Sequence, residues 1–424
     1  TYAVIIKLMR LCKRIVLVMN KFCWTSLFIL VIIILVWIKK SPKHHKDMFS
    51  KPVLMWWTGE FGLKAETMYC PGDIVCEVVS KNASTLNKHN PNAYLFYGSN
   101  LHIHELPLPR RPGDIWALFH EESPRNRVEL MHESMLHLFN FSATFSRFSD
   151  VPFPLQHIKS LDVITSKKYY IETSIKNVYL KELAPIMYLQ SDCETATERD
   201  DYVKELMKFI QIDSYGACLK NKNLSVFSSE EYMDKLYDDS LLKFFAKYKF
   251  VIAFENGICE DYVTEKFWRP ISIGSVPIYF GSPTIRDWLP NNKSAILRTD
   301  FPTPESLSEH IKLLLKNDSL YEEYLEHKTK MIVTNEMLIG ELKKNSYQTD
   351  VIETLDKFGC FVCKKLHDRL NGDTTVHVVI KSHYNCPKPV TALTLQEDPL
   401  SYWLQEWMNT KEVAENIHKI VFGS

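Results

Sequence analysis

Neither a G-x-G-x-x-G stretch nor a Walker-type lysine loop occurs in the 424 residues. The first absence speaks against a dinucleotide-dependent dehydrogenase and the second against a phosphate-loop ATPase, because each class cradles phosphate on such a backbone. Net charge is also missing, with 51 Lys and Arg against 51 Asp and Glu. The balance hides an asymmetry: residues 1–40 hold seven bases and no acid, which leaves 44 bases against 51 acids beyond them. That acidic remainder lacks the basic footprint of a nucleic-acid-binding protein, so no nucleic-acid partner is expected. No internal repeat or low-complexity tract interrupts an ordinary globular composition of 46% hydrophobic and 24% charged residues.

One long uncharged run is present, FCWTSLFILVIIILVWI over Phe22–Ile38. Its length meets the lower limit for a bilayer helix. It ends in Trp-Ile-Lys-Lys rather than small-x-small residues, which favours an uncleaved anchor over a signal peptide. The N-terminal region therefore reads as a partial tail (1–21), a transmembrane segment (22–38) and a polar stem (39–51). Bases flank both sides of the run, so charge leaves its orientation open. The chain opens on Thr1 rather than Met, and a leader is expected ahead of it. Sequons at Asn82, Asn140, Asn223, Asn292 and Asn317, with eight of the ten cysteines beyond the run, suit an oxidising lumenal compartment. Cysteine pairing is not deducible from spacing. Zinc is a rival use for Cys360-x-x-Cys363, but no second pair or His-x3-His follows at finger spacing, and disulfides are the expectation.

Strand and helix signals alternate from residue 52 onward. Val53–Trp57, Ala93–Tyr97, Ile115–Phe119 and Leu138–Ser146 read as short buried strands of a first unit over 52–182. A second unit over 183–355 opens with the strand in PIMYLQSD and a helix over Glu198–Ile210, and Leu236–Tyr248 repeats the helical spacing. Its clearest cycle is strand Phe250–Phe254, helix Asp261–Ile273, strands Val276–Tyr279 and Ala295–Leu297, and helix Glu305–Lys316. Tyr321–Met337 reads as one further charged helix. The alternation predicts an α/β protein of two facing Rossmann-like domains with a cleft between them. After Gly359 the pattern fades, and residues 356–424 read as a cysteine-containing tail.

The strand at Phe250–Phe254 delivers Glu255 and Asn256 to its carboxyl end, where open α/β sheets bind ligands. In a helix beginning near Asp261, Tyr262, Glu265, Lys266 and Arg269 share one polar face. Lys266 would meet a diphosphate, the helix start would add partial positive charge, and Glu265 would accept from sugar hydroxyls. A merely solvated face is the plainer alternative. Gly281 is expected to permit a tight turn after the following strand.

This stretch resembles the donor-binding signature of the α1,3-fucosyltransferase family, inverting enzymes that use GDP-fucose. AFEN, EDYVTEKFWRP and GSVPIYFGSP follow that motif almost continuously, and the resemblance covers about residues 52–365. WALFHEESPRN, SDCETATERDDYV and the cysteine-rich end are most similar to its protein O-fucosyltransferase branch. The resemblance implies a GT-B fold, a type II membrane protein with an acceptor domain before a GDP-fucose domain, and Asn256, Tyr262, Glu265 and Lys266 as donor contacts. It also implies that Arg199 clamps the diphosphate, although the bare sequence reads Arg199 equally well as a helix-surface charge. Trp268-Arg269-Pro270 departs from the usual wording, and Pro270 is expected to shorten the helix.

The strand at Ile115 ends in His120-Glu121-Glu122-Ser123-Pro124. Inverting transfer needs one general base to deprotonate the incoming hydroxyl. Glu122 aligns with the proposed base of the family, Glu121 stays open as the alternative, and His120 is a weaker candidate. No isolated Asp-x-Asp follows a strand, and Lys266 with Arg199 would meet the charge of the leaving GDP, so neither metal nor cofactor is expected. The implied acceptor is a Ser or Thr hydroxyl of a folded, Cys-rich EMI-type domain in the endoplasmic reticulum. The alternative is N-acetylglucosamine of a glycan in the Golgi. A homodimer is compatible with either.

Overall fold

The computed structural model describes residues 51–59, 66–81, 93–224, 237–344 and 346–423. The chain divides at Lys51/Pro52, and the described residues lie almost wholly in the unit Pro52–Ser424. The run Phe22–Ile38 lies outside the described residues, among which no helix is long and apolar enough to cross a membrane.

Six strands form the first sheet: β1 (Val53–Thr58), β2 (Glu66–Cys70), β3 (Ile74–Ser80), β4 (Ala93–Tyr97), β5 (Ile115–His120) and β6 (Phe141–Thr144). Their order is β2-β3-β1-β4-β5-β6, parallel except for the hairpin edge strand β2. The central strands VLMWWT, AYLFY and IWALFH are apolar on nearly every residue, as strands covered on both faces must be.

A second, wholly parallel sheet contains β7 (Ile186–Gln190), β8 (Ile212–Gly216), β9 (Phe250–Phe254), β10 (Val276–Phe280) and β11 (Ile296–Leu297), ordered β11-β10-β9-β7-β8. Helices α1 (Arg199–Leu206), α2 (Asp239–Phe245), α3 (Glu265–Ile273) and α4 (Pro304–Lys316) belong to this half. The α/β class with two largely parallel sheets therefore agrees with the strand–helix alternation. The single helix expected over Tyr321–Met337 does not form. Its front breaks into short turns at Asp318–Glu322 and Glu326–Thr329, Met331 adopts φ 56°, and a separate helix starts at Glu336.

Instead of a tail after Gly359, the chain builds α5 (Val351–Leu370) and α6 (Tyr402–Phe422). Phe358, Val362, Cys363 and Leu366 make one buried stripe of α5 against the first sheet. Disulfides Cys70–Cys360 and Cys76–Cys363 fasten that helix to β2 and β3. Helix α6 also returns to the first half, burying Ala414 and Ile417 in its core. Between these helices the chain visits the second half. There Ala392 N donates to Thr197 O at 2.7 Å, and Arg298 Nε and Nη2 donate to Ala392 O and Leu393 O, each at 2.8 Å.

Candidate active site

Strand β5 ends at His120, which places Glu121 and Glu122 beyond its carboxyl end, while β7 and β9 deliver Asp192 and Asn256 from the other sheet. A cavity of about 430 Å³ lies between these strand ends. Glu122, Arg199, Asn256, Tyr262, Glu265 and Lys266 all line it. His120 does not; it is buried behind, its ring 5.3 Å from that of Tyr384.

Helix α3 begins at Glu265, four residues later than its apolar spacing suggests. Thr264 is the cap, accepting from Lys266 N at 3.3 Å. Asp261 instead has φ 65° and a buried carboxylate. It accepts from Arg147 Nε at 2.8 Å, Thr284 Oγ1 at 2.8 Å and Trp288 Nε1 at 3.1 Å, which joins the end of β6 to the second half. Burial pushes the Asp261 carboxyl up, but Arg147 and Thr284 outweigh it and hold the group below its usual range. Tyr262 therefore precedes the helix rather than sharing its polar face. Pro270 does not end α3, which runs on to Ile273 and closes on Gly274 at φ 74°.

At the helix start, Lys266 Nζ lies 3.2 Å from Glu265 Oε1 and 3.7 Å from Glu255 Oε2. Burial raises the Glu255 carboxyl to about 7, and the nearby Lys266 charge only partly offsets that. Glu255 accepts from Thr264 N at 2.8 Å and from Thr264 Oγ1 at 2.7 Å, so it braces the helix cap from below. Gly281 serves this contact, since a Cβ there would come within 2.5 Å of Glu255 Cγ. Close approach, rather than a left-handed turn, is what requires glycine. Burial pushes Glu265 upward too, but the charges of Lys266, His157 and Arg269 outweigh it and hold that carboxyl well below the usual range. Lys266 is raised, because Glu265 and Glu255 overcome its own desolvation.

Arg199 opens α1 fully buried, with Nη1 donating to Phe254 O at 3.0 Å and Nη2 to Asp192 O at 2.7 Å. Its Nε has no partner, and neither has Asn256 Oδ1. A buried polar atom left unpaired costs free energy, and both of these residues line the cavity, so they offer one donor and one acceptor to a polar ligand.

Across the cavity, Glu122 Oε2 accepts from Tyr262 Oη at 3.1 Å, and its carbonyl accepts from Tyr384 Oη at 2.8 Å. Glu121 Oε1 accepts from Tyr97 Oη at 2.6 Å, while Oε2 is buried without a partner. Burial raises the Glu121 carboxyl to about 7. The two adjacent carboxylates both line the cavity but differ in partner: Glu122 is bonded to Tyr262 of the second half, Glu121 to Tyr97 of the first.

Asp192 and His157 are among the lining residues that sequence reasoning missed. Asp192 pairs with Arg125 through Nε–Oδ2 and Nη2–Oδ1 contacts of 2.9 and 3.0 Å, joining the two strand-end loops. Its place just after β7 was the available signal. His157, lowered to about 4 by burial, comes from the connecting segment, where nothing in the local sequence marks it.

Comparison with known proteins assigns the class. Residues 180–382 match glycosyltransferase family 10 (fucosyltransferase), C-terminal, and residues 33–156 match the fucosyltransferase N-terminal family. The chain is 39% identical to GDP-fucose protein O-fucosyltransferase 3 of Homo sapiens, covering 88% of this chain and 80% of that protein. It is 41% identical to the Gallus gallus protein of the same name (87% and 79% covered) and 37% identical to alpha-(1,3)-fucosyltransferase B of Drosophila melanogaster (91% and 87%). A solved alpha1,3-fucosyltransferase with GDP-fucose aligns at TM-score 0.42 and 15% identity, covering 78% of this chain and 94% of that one. The chain belongs to glycosyltransferase family 10 and is a fucosyltransferase.

Proposed function

We propose that this enzyme moves L-fucose from GDP-β-L-fucose to a Ser or Thr hydroxyl of a folded, Cys-rich EMI-type protein domain, with inversion. The observation that carries the reading is the meeting of Glu122 with Arg199, Asn256, Tyr262, Glu265 and Lys266 on one cavity between two parallel sheets. That arrangement suits a GT-B transferase, which holds the nucleotide on one domain and the acceptor on the other. The named relatives, several of them protein O-fucosyltransferases acting with GDP-fucose, support the donor and the protein acceptor. Glycan transfer to N-acetylglucosamine is the second reading; the Drosophila relative's name gives an alpha-(1,3) linkage and no protein acceptor.

In the proposed step Glu122 takes the proton from the acceptor hydroxyl. The hydroxyl oxygen forms a bond to fucose C1 as the bond from C1 to the β-phosphate oxygen breaks, and GDP leaves with the electron pair. Lys266, the free Nε of Arg199 and the start of α3 meet the charge that develops on the diphosphate. Those fixed cations supply what a divalent metal would, so transfer is expected to persist in chelator. The anchor at Phe22–Ile38 would make this a type II protein of the endoplasmic reticulum, and a reporter fused after Ser50 should then be lumenal. The deciding assay offers GDP-fucose with folded EMI-type domains and with N-acetylglucosamine-terminated glycans, and maps product by mass spectrometry. Fucose on Ser or Thr supports the protein reading, and transfer only to glycans overturns it.

A further inference from the structure

A folded domain cannot enter a cavity of about 430 Å³. Only the hydroxyl-bearing segment reaches Glu122, and the rest of the acceptor must lie on the rim. On the first-half side the rim runs through Arg125, whose guanidinium pairs with Asp192 and lies 5.9 Å from the ring centre of Trp403. Trp403 sits in the first turn of α6, half-buried on the first core. Beside it Leu400 is 92% exposed and Tyr402 67% exposed. Large apolar side chains this open, next to a cation–aromatic contact, are what a protein interface covers rather than what a lone surface favours. All three residues lie beyond the stretch that matches the family, which ends at 382. They stand at and just before the start of α6, beside Arg125, which lines the cavity.

We propose that Leu400, Tyr402 and Trp403 form a docking surface for the acceptor protein, contacting an apolar side chain on the acceptor beside the hydroxyl to be fucosylated. The inference rests on the protein-acceptor reading above. Continuity with the catalytic cavity selects this occupant, because an acceptor whose hydroxyl reaches Glu122 past the Arg125–Asp192 pair lies against the start of α6. Apolar contact there, with tyrosine and tryptophan as anchors, would give affinity for the domain without touching the nucleotide.

The test uses the lumenal protein with Leu400→Ser and Tyr402→Ser together and, separately, Leu400→Lys. Both positions are open, so neither change removes a core contact. The wild type is first assayed with a folded EMI-type domain. Given transfer, each variant should raise KM for that domain about tenfold, the loss expected from one interface anchor. KM for GDP-fucose and hydrolysis of donor without acceptor should stay at the wild-type level. An unchanged acceptor KM overturns the docking surface while leaving protein fucosylation intact. A variant whose only change is in self-association, read by light scattering, assigns the patch to a second copy and also overturns it. If the wild type modifies glycans and no folded domain, the protein-acceptor reading fails, and the docking surface falls with it.

Discussion

Tyr262 and Glu122, 140 positions apart in the chain, are joined by a hydrogen bond from the phenol to the carboxylate at 3.1 Å. The tyrosine precedes α3 and the glutamate follows β5, so the bond spans the cavity. Under the proposed function, Tyr262 would orient Glu122, the proposed base, as well as bordering the nucleotide. Tyr262→Phe keeps the ring on Phe145 and removes only the hydroxyl. The expected loss is about tenfold in kcat, the equivalent of one hydrogen bond, with KM for GDP-fucose nearly unchanged. A rise in donor KM at constant kcat would return Tyr262 to a purely nucleotide-binding role.

Glu122→Gln should lower turnover by about 10²–10⁴, the usual contribution of a general base, while GDP affinity measured by calorimetry is retained. Near-normal transfer by this variant would move the base elsewhere.

Glu121 yields a separate pH test. Burial raises its carboxyl from 4.5 to about 7 in the folded chain, so the folded state holds a proton that the unfolded state releases. Its contribution to stability therefore declines as pH rises from 4.5 through about 7. Glu121→Gln keeps an acceptor for Tyr97 and removes the titration. The variant and wild type should melt alike at about pH 4, and the variant should melt higher, on the order of 2 °C, at about pH 8. Parallel melting curves across that range would show that Glu121 does not titrate in this way.

Lys266 sits among Thr264, Glu255 and Glu265, with its ammonium largely buried. Lys266→Ala should weaken GDP-fucose binding by roughly 1.5–3 kcal/mol, the range for a charge-assisted contact. It should also lower the melting temperature of the free enzyme, because two buried carboxylates lose their shared cation. Unaltered donor affinity with a lowered melting temperature would make Lys266 structural only.

Asn140 belongs to a sequon, yet its Oδ1 accepts from Trp116 N at 2.9 Å and from Arg110 Nη2 at 2.6 Å, while Nδ2 donates to His377 O at 2.9 Å. The amide is committed to the fold, whereas Asn223 and Asn292 are exposed. After expression through a secretory pathway, glycopeptide mapping should find glycans at Asn223 and Asn292 and none at Asn140. Full occupancy at Asn140 would require this region to be modified before it folds.

The sequence alone determined the class and most of the strands. Apolar runs such as FVIAF and VPIYF are local signals, and the words around Lys266 are nearly continuous with a family motif. Tertiary structure decided the rest, because it depends on groups distant in the chain. Asp261 looked like a helix start, but Arg147, Thr284 and Trp288 converge on its carboxylate, and the helix begins only at Glu265. The cysteine spacing allowed many pairings, and packing of α5 on one face of the first sheet brings Cys360 and Cys363 to Cys70 and Cys76. The chain beyond Gly359 lacks strand–helix alternation, yet Phe358, Val362, Cys363 and Leu366 already stand at helical spacing in α5; what only the tertiary structure supplies is the sheet which that stripe covers. Periodicity is written within a dozen residues, whereas the bond from Tyr262 to Glu122 exists only once two sheets have folded and met.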